Sequence, residues 1–172
     1  MDTFEAIRTR RTTRTFLPTK VPDETIGKIL EAGRLAPSAR NLQPWHFIVI
    51  QDSGVLKQLG ALCTTGRFIE RASCAVAVVT DPTNSWHEID GARAVQSMEL
   101  AGWNEGVGTC WIGSMERDRI KDLLAIPKGL HLLTILPFGY AVETNAPRRK
   151  TKKRPDEVCH WGRFGQQKSH VA

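Results

Sequence analysis

The run Cys74-Ala75-Val76-Ala77-Val78-Val79 constrains this chain more than any other stretch. It is apolar at every position and rich in β-branched residues, so it reads as a strand buried on both of its faces. Such a strand needs a layer of structure on either side, which restricts the chain to a layered α/β or α+β domain. Helices and apolar strands alternate only roughly along the sequence, so the pattern leaves the pairing directions open.

The neighbouring elements follow from local signals. Asp2 is placed to cap a short first helix, with Glu5 answering three residues later and Phe4 and Ile7 facing inward. A second helix starts at Pro22-Asp23-Glu24 and stops near Leu35, before Pro37. Trp45 to Ile50 reads as a buried strand, and Ser53 as the cap of a helix running to Leu62. Glu88 to Glu105 is the longest helix, with Asp90 and Glu99 on its surface and a stop at Gly106 or Gly108. Thr109 to Gly113 reads as a short strand, Glu116 to Leu124 as a helix, and Leu130 to Ala141 as a strand broken at Pro137.

Length and charge narrow the function classes. A chain of 172 residues suits one domain with a tail, divided here as 1–145 and a basic extension, 146–172. There is no run of about 18 apolar residues and the N-terminus is too polar for a secretory signal, so a cytoplasmic protein that does not span a membrane is expected. The four cysteines are scattered without a C-x-x-C pair, and the five histidines share no metal-ligand spacing. There is no G-x-S-x-G elbow for hydrolysis.

The net charge of +6 is concentrated in Arg8–Arg14 (RTRRTTR) and Arg148–Arg154 (RRKTKKR). Forked guanidinium donors with threonine hydroxyls suit a phosphate. Neither G-x-G-x-x-G nor a P-loop is present, so side chains would have to hold it. Nucleic acid is the rival ligand, but it calls for aromatics interleaved with the basic residues, and neither run has one. A phosphorylated ligand without an evident catalytic side chain favours chemistry carried by a cofactor. The polar loop Ala36–Phe47 (APSARNLQPWHF) raises a related choice: it caps a turn, or it holds something.

Four stretches then carry a family resemblance that spans nearly the whole chain. Arg10–Phe16 (RRTTRTF) resembles an RRSxRxF opening, and Ala36–Trp45 resembles an APSxxNxQPW loop. Ala94–Ala101 with Gly106–Gly113 resembles a long central helix and the strand after it. Leu136–Tyr140 and Arg154–Trp161 resemble a last strand and a C-terminal extension. The chain is similar to the nitroreductase family of FMN-dependent NAD(P)H oxidoreductases.

That resemblance implies an α+β fold, a mixed β-sheet flanked by helices, in an intertwined homodimer with an exchanged C-terminal arm. Arg10, Arg11, Thr12 and Arg14 of one subunit would bind the FMN phosphate and ribityl chain. Pro37, Ser38, Ala39 and Asn41 of the other would line the isoalloxazine ring. The backbone at Trp111, Ile112 and Gly113 would meet the ring, and Lys152 or Arg154 of the tail would close on the phosphate. NADPH or NADH would pass hydride to flavin N5, and a nitroaromatic or quinone-like acceptor would take it in ping-pong turnover. No side chain is assigned acid–base work. The same scaffold also serves proteins that bind or modify flavin, or dehalogenate, without efficient NAD(P)H turnover. Ser97 and Ala39 depart from the family pattern, the 80–88 connection is short, and no flavin contact is matched between Gly60 and Arg71.

Overall fold

The structure, a computed structural model, describes residues 1–142 and 151–167. It divides into two compact units, Met1–Val142 and Glu143–Ala172. The expected boundary at 145/146 and the first half of the tail's basic run lie outside the described residues.

The first unit is built around a four-stranded sheet ordered β1-β2-β4-β3, with β1 Trp45–Ile50, β2 Cys74–Thr80, β3 Val107–Thr109 and β4 His131–Tyr140. Helices α1 Thr3–Thr9, α2 Asp23–Arg34, α3 Ser53–Leu62, α4 His87–Asn104 and α5 Arg117–Leu123 surround it. All seven residues of β2 are buried. Cys74, Val76 and Val78 point into a core shared with Ile29 of α2 and Val95 and Met98 of α4. Ala75, Ala77 and Val79 point into a second core with Leu56 and Leu59 of α3 and Ile120 of α5. The strand is therefore sandwiched as its composition requires, and each buried Val or Leu contributes roughly 1.5–3 kcal/mol. The fold is α+β. The three ladders run antiparallel, and the parallel component of the sheet is the single bridge Thr12↔Thr109.

Several local expectations are corrected. Phe4 and Ile7 face outward, 73% and 57% exposed, while Ala6 is the buried residue of α1. Asp2 does cap that helix, accepting from Glu5 N at 2.8 Å. The cap of α3 is Asp52, which accepts from Val55 N at 2.9 Å; Ser53 is already helical. Strand β1 lies at the sheet edge with His46 and Val49 exposed, so it is only half-buried. Strand β4 runs unbroken through Pro137. Its pairing with β3 begins at Phe138 and the Ile112 bridge falls at Ile135, so the missing proline N–H faces a gap between them. The irregularity lies elsewhere in the β2–β4 ladder, where the register shifts between Val78 and Val79 and leaves Leu133 of β4 without a partner in β2. Among the described residues, no helix is long and apolar enough to cross a membrane.

The second unit is described from Thr151 to Gln167. It holds one short helix, α6 Pro155–Val158, whose start is closed by the Glu157 carboxylate accepting from Arg154 N at 2.7 Å. The rings of His160 and Phe164 pack at a tilt of 50° with centroids 4.3 Å apart. Gln167 Nε2 donates to the Asp156 carbonyl at 2.7 Å.

Candidate active site

The N-terminal basic segment is laid along the sheet. Thr13 N donates to Thr109 O at 2.9 Å, Leu17 N to Tyr140 O at 2.8 Å, and Val142 N returns to Thr15 O at 3.1 Å. Two glycines make this close approach possible. Gly108 and Gly139 are register partners across β3 and β4. A Cβ on Gly108 would stand 2.6 Å from Thr13 Cβ, and one on Gly139 would stand 2.8 Å from Phe16 Cδ1. They form a bare floor on which Thr13 and Phe16 lie, both buried. Arg11, Thr12 and Arg14 are exposed. At the segment's start, Trp103 Nε1 of α4 donates to Thr9 Oγ1 at 2.9 Å.

Arg10 leans back onto α4, where its Nη1 lies 3.7 Å from Glu99 Oε2. Glu99 is buried, contrary to its expected place on the helix surface. Burial holds its carboxyl above the ordinary carboxylate range, and Arg10 partly offsets this. Cys110 belongs to the same neighbourhood, and burial raises its thiol against the pull of the nearby Arg14. Burial likewise pushes Cys74 up to about 12 and Cys63 to about 11, which leaves these thiols protonated and poor nucleophiles. The Thr109 hydroxyl is buried with no hydrogen-bond partner among the described residues.

Beyond Thr109 the chain leaves β3. The expected strand from Thr109 to Gly113 is instead a three-residue strand followed by a segment pinned from outside. Ile112 N donates to Ile135 O at 3.2 Å, the buried Thr134 hydroxyl donates to Ile112 O at 2.9 Å, and Arg117 Nη2 donates to Gly113 O at 3.2 Å. Ile112 is thereby buried while Trp111 and Gly113 stay exposed. The arginine segment and this rigid stretch meet through the Thr12–Thr109 bridge and the Arg14–Cys110 approach.

The Pro37–Asn41 loop lies elsewhere. Ser38 Oγ accepts from Gln43 N at 3.0 Å and so closes its own turn. Arg40, Asn41 and Gln43 all take left-handed backbone angles, with φ of 51°, 57° and 47°. Non-glycine residues there cost of order 1–3 kcal/mol each and persist only where the surroundings fix them. The fixing group is Asp90, which is 2% exposed and buried where a surface position was expected. Its two carboxylate oxygens accept from Ala39 N at 3.2 and 3.1 Å. Pro37, Arg40 and Asn41 are left exposed. Asp90 anchors the loop in the first turn of α4, whereas Glu99 meets Arg10 nine residues later, about 13.5 Å along the helix axis. One chain thus holds the loop and Arg10 at points nine residues apart on α4.

Of the tail residues, Lys152 is exposed and Arg154 is engaged within its own unit, its Nη2 2.6 Å from Asp156 Oδ2.

Comparison with known proteins puts this arrangement in context. The nitroreductase family model matches residues 7–81 and 63–140, which include the arginine segment, the loop and the pinned stretch. The chain belongs to the nitroreductase family. A relative from Archaeoglobus fulgidus, provisionally named NADH dehydrogenase/NAD(P)H nitroreductase, is 36% identical over 146 residues, covering 80% of this chain and 84% of its own. An FMN-dependent nitroreductase from Clostridium difficile R20291 superposes with a TM-score of 0.83 at 27% identity, over 94% of this chain and 99% of that one. A nitroreductase with bound FMN from Bacteroides fragilis gives a TM-score of 0.76 at 25% identity, over 89% and 95%.

Within this nitroreductase fold, several supporting residues escaped the sequence reading: Asp90, Glu99, Arg117, Thr109 and the Gly108–Gly139 pair. The glycines did carry a signal, since glycine inside a strand marks close backbone approach. The acids carried none, because their partners lie far away in sequence.

Proposed function

We propose that this chain is an FMN-dependent oxidoreductase that moves hydride from NADPH or NADH to a small nitroaromatic or quinone-like acceptor, working as a homodimer with each site built from two chains. The observation that carries the reading is the arginine segment held across the Gly108–Gly139 floor, with Arg11, Thr12 and Arg14 exposed along it. That donor set fits a phosphate monoester and its ribityl chain. The unpartnered Thr109 hydroxyl beside it is the kind of buried polar atom that a ligand group satisfies.

Arg10, Arg11, Thr12 and Arg14 would hold the phosphate end. The Trp111–Gly113 backbone, fixed by Thr134 and Arg117, would present an unyielding edge to the ring. Pro37, Ser38, Ala39 and Asn41 would cover the ring from the second subunit, and Lys152 or Arg154 would close on the phosphate. Bound there, FMN would supply the redox chemistry for hydride transfer from the nicotinamide to the acceptor in ping-pong order. The outward Phe4 and Ile7 support an apolar contact with a second copy.

The test is a visible spectrum of the purified protein before and after anaerobic NADPH or NADH. A yellow protein that bleaches is expected, and Arg10→Ala with Arg14→Ala should leave it largely colourless. Full flavin occupancy in that double variant would overturn the assignment. A yellow protein that ignores both nicotinamides would place it among flavin binders without reductase turnover.

A further inference from the structure

Two imidazoles meet at the end of the sheet where the first turn of α4 is seated. His87 opens that helix, and its Nδ1 shares a hydrogen bond of 2.8 Å with the hydroxyl of Thr80, the buried last residue of β2. The ring of His131, the first residue of β4, stands edge-on to His87 with centroids 5.4 Å apart. His131 Nε2 lies 3.3 Å from Glu88 Oε1, back on α4. This seat has no slack. A Cβ on Gly91, one turn further along the helix, would stand 2.6 Å from Leu133 Cδ2 and 2.9 Å from Thr80 Cγ2. The same first turn carries Asp90, whose carboxylate holds Ala39 N of the loop. Each histidine therefore touches the turn on which the loop depends.

We propose that His87 and His131 form a pH-sensitive clamp: it holds the first turn of α4, and through Asp90 the loop Pro37–Asn41, while His131 is neutral, and it loosens when His131 takes a proton. Its effect on flavin rests on the reading above, in which that loop covers the ring. The surroundings of His131 set the direction. Burial opposes the imidazolium most, Glu88 of α4 favours it, and His87 of α4 with Arg117 and Lys121 of α5 oppose it. His131 thus gives up its proton more readily than an ordinary histidine, whose value is about 6.5. Asp81 lies near His87 and His46, but its carboxylate is engaged by Thr83, accepting from the backbone N at 2.9 Å and from Oγ1 at 2.7 Å. A proton on His131 therefore puts a half-buried cation in the field of Arg117 and Lys121, and the ring reaches water only by leaving His87 and the helix. Because folding lowers the value, the stabilisation is complete above the ordinary histidine value and is lost as pH falls through the folded one.

The experiment follows amide hydrogen exchange in the segment spanning Pro37–Asn41, corrected for intrinsic rates, from about pH 5 to about pH 8 in the wild type, His131→Gln and Glu88→Gln. The wild-type loop should exchange up to about tenfold faster at the acid end, and His131→Gln should show no such rise. Glu88→Gln, a change at an exposed position, removes the carboxylate that favours the imidazolium, so its rise should move to lower pH. A flat wild-type profile, or the same profile in His131→Gln, would overturn the proposal. So would a rise that Glu88→Gln leaves where it was, which decides the matter even where His131→Gln does not fold. Exchange is read on the protein as purified, whatever its flavin content. Flavin retention followed over the same range should fall with loop opening in the wild type and hold in His131→Gln. Retention that stays constant while the wild-type loop opens would refute the place of the loop over the ring and leave the clamp standing.

Discussion

Glu99 is a carboxylate buried beneath an arginine that has a second use. It fixes the direction of Arg10, yet its charge opposes any anion that Arg10 meets. The consequence can be read as a pH effect. Unfolded, Glu99 titrates near the ordinary glutamate value of about 4.3. Folded, burial raises it. The native chain therefore holds the proton more tightly, and stability falls as pH rises through the folded value, with the full contribution present below the unfolded one. Glu99→Gln should remove that slope. Melting temperatures from pH 4 to pH 7, taken as wild type minus variant, should decline across the window above the ordinary value; a flat difference curve would show that Glu99 is not strained. Asp90 and Glu99 also show why such residues are hard to read in sequence. Both sit on a helix whose charged positions normally face water. What buries them is Ala39, 51 residues before Asp90, and Arg10, 89 residues before Glu99, and neither contact leaves a local trace.

At the scale of elements, the Gly108–Gly139 floor decides where the arginine segment lies. Gly108→Ala should force Thr13 away and break its hydrogen bond to Thr109, at a cost of roughly 1–3 kcal/mol. Flavin retention should fall with it. Gly129→Ala is the control, because a Cβ there meets nothing within 4 Å. Urea midpoints for the two variants check this, and equal midpoints would mean that the segment is not seated on the glycines. The strong elements were legible: β2 from its unbroken apolar run, α4 from length and its glycine stop, and the four motif stretches from their residues. The errors share one cause, that pattern fixes an element's existence but not its neighbours. Strand β1 is apolar yet lies at an edge, Phe4 and Ile7 are apolar yet face out, and Pro137 sits within a strand because the adjoining ladder has a gap there. The glycine pair means little until register sets the two residues opposite each other.

For the whole molecule, the two-chain site proposed above makes a prediction that a one-chain site does not obey. A chain carrying Arg10→Ala/Arg14→Ala and a chain carrying Pro37→Trp should each be nearly inactive alone. Co-expressed, they form mixed dimers in which one site receives both defects and the other receives none, restoring about a quarter of wild-type activity. A site built within one chain would recover nothing. The strand order β1-β2-β4-β3 has a further consequence, in the time needed to make the protein. Strand β2 can pair with β1 as soon as it is synthesised, but its other edge belongs to β4, which begins about 50 residues later. At typical elongation rates of about 5–20 residues per second, this most apolar strand waits several seconds with one edge open. Nascent chains of this protein should be most vulnerable to aggregation, and most in need of a chaperone, in the interval between Thr80 and Tyr140 leaving the ribosome.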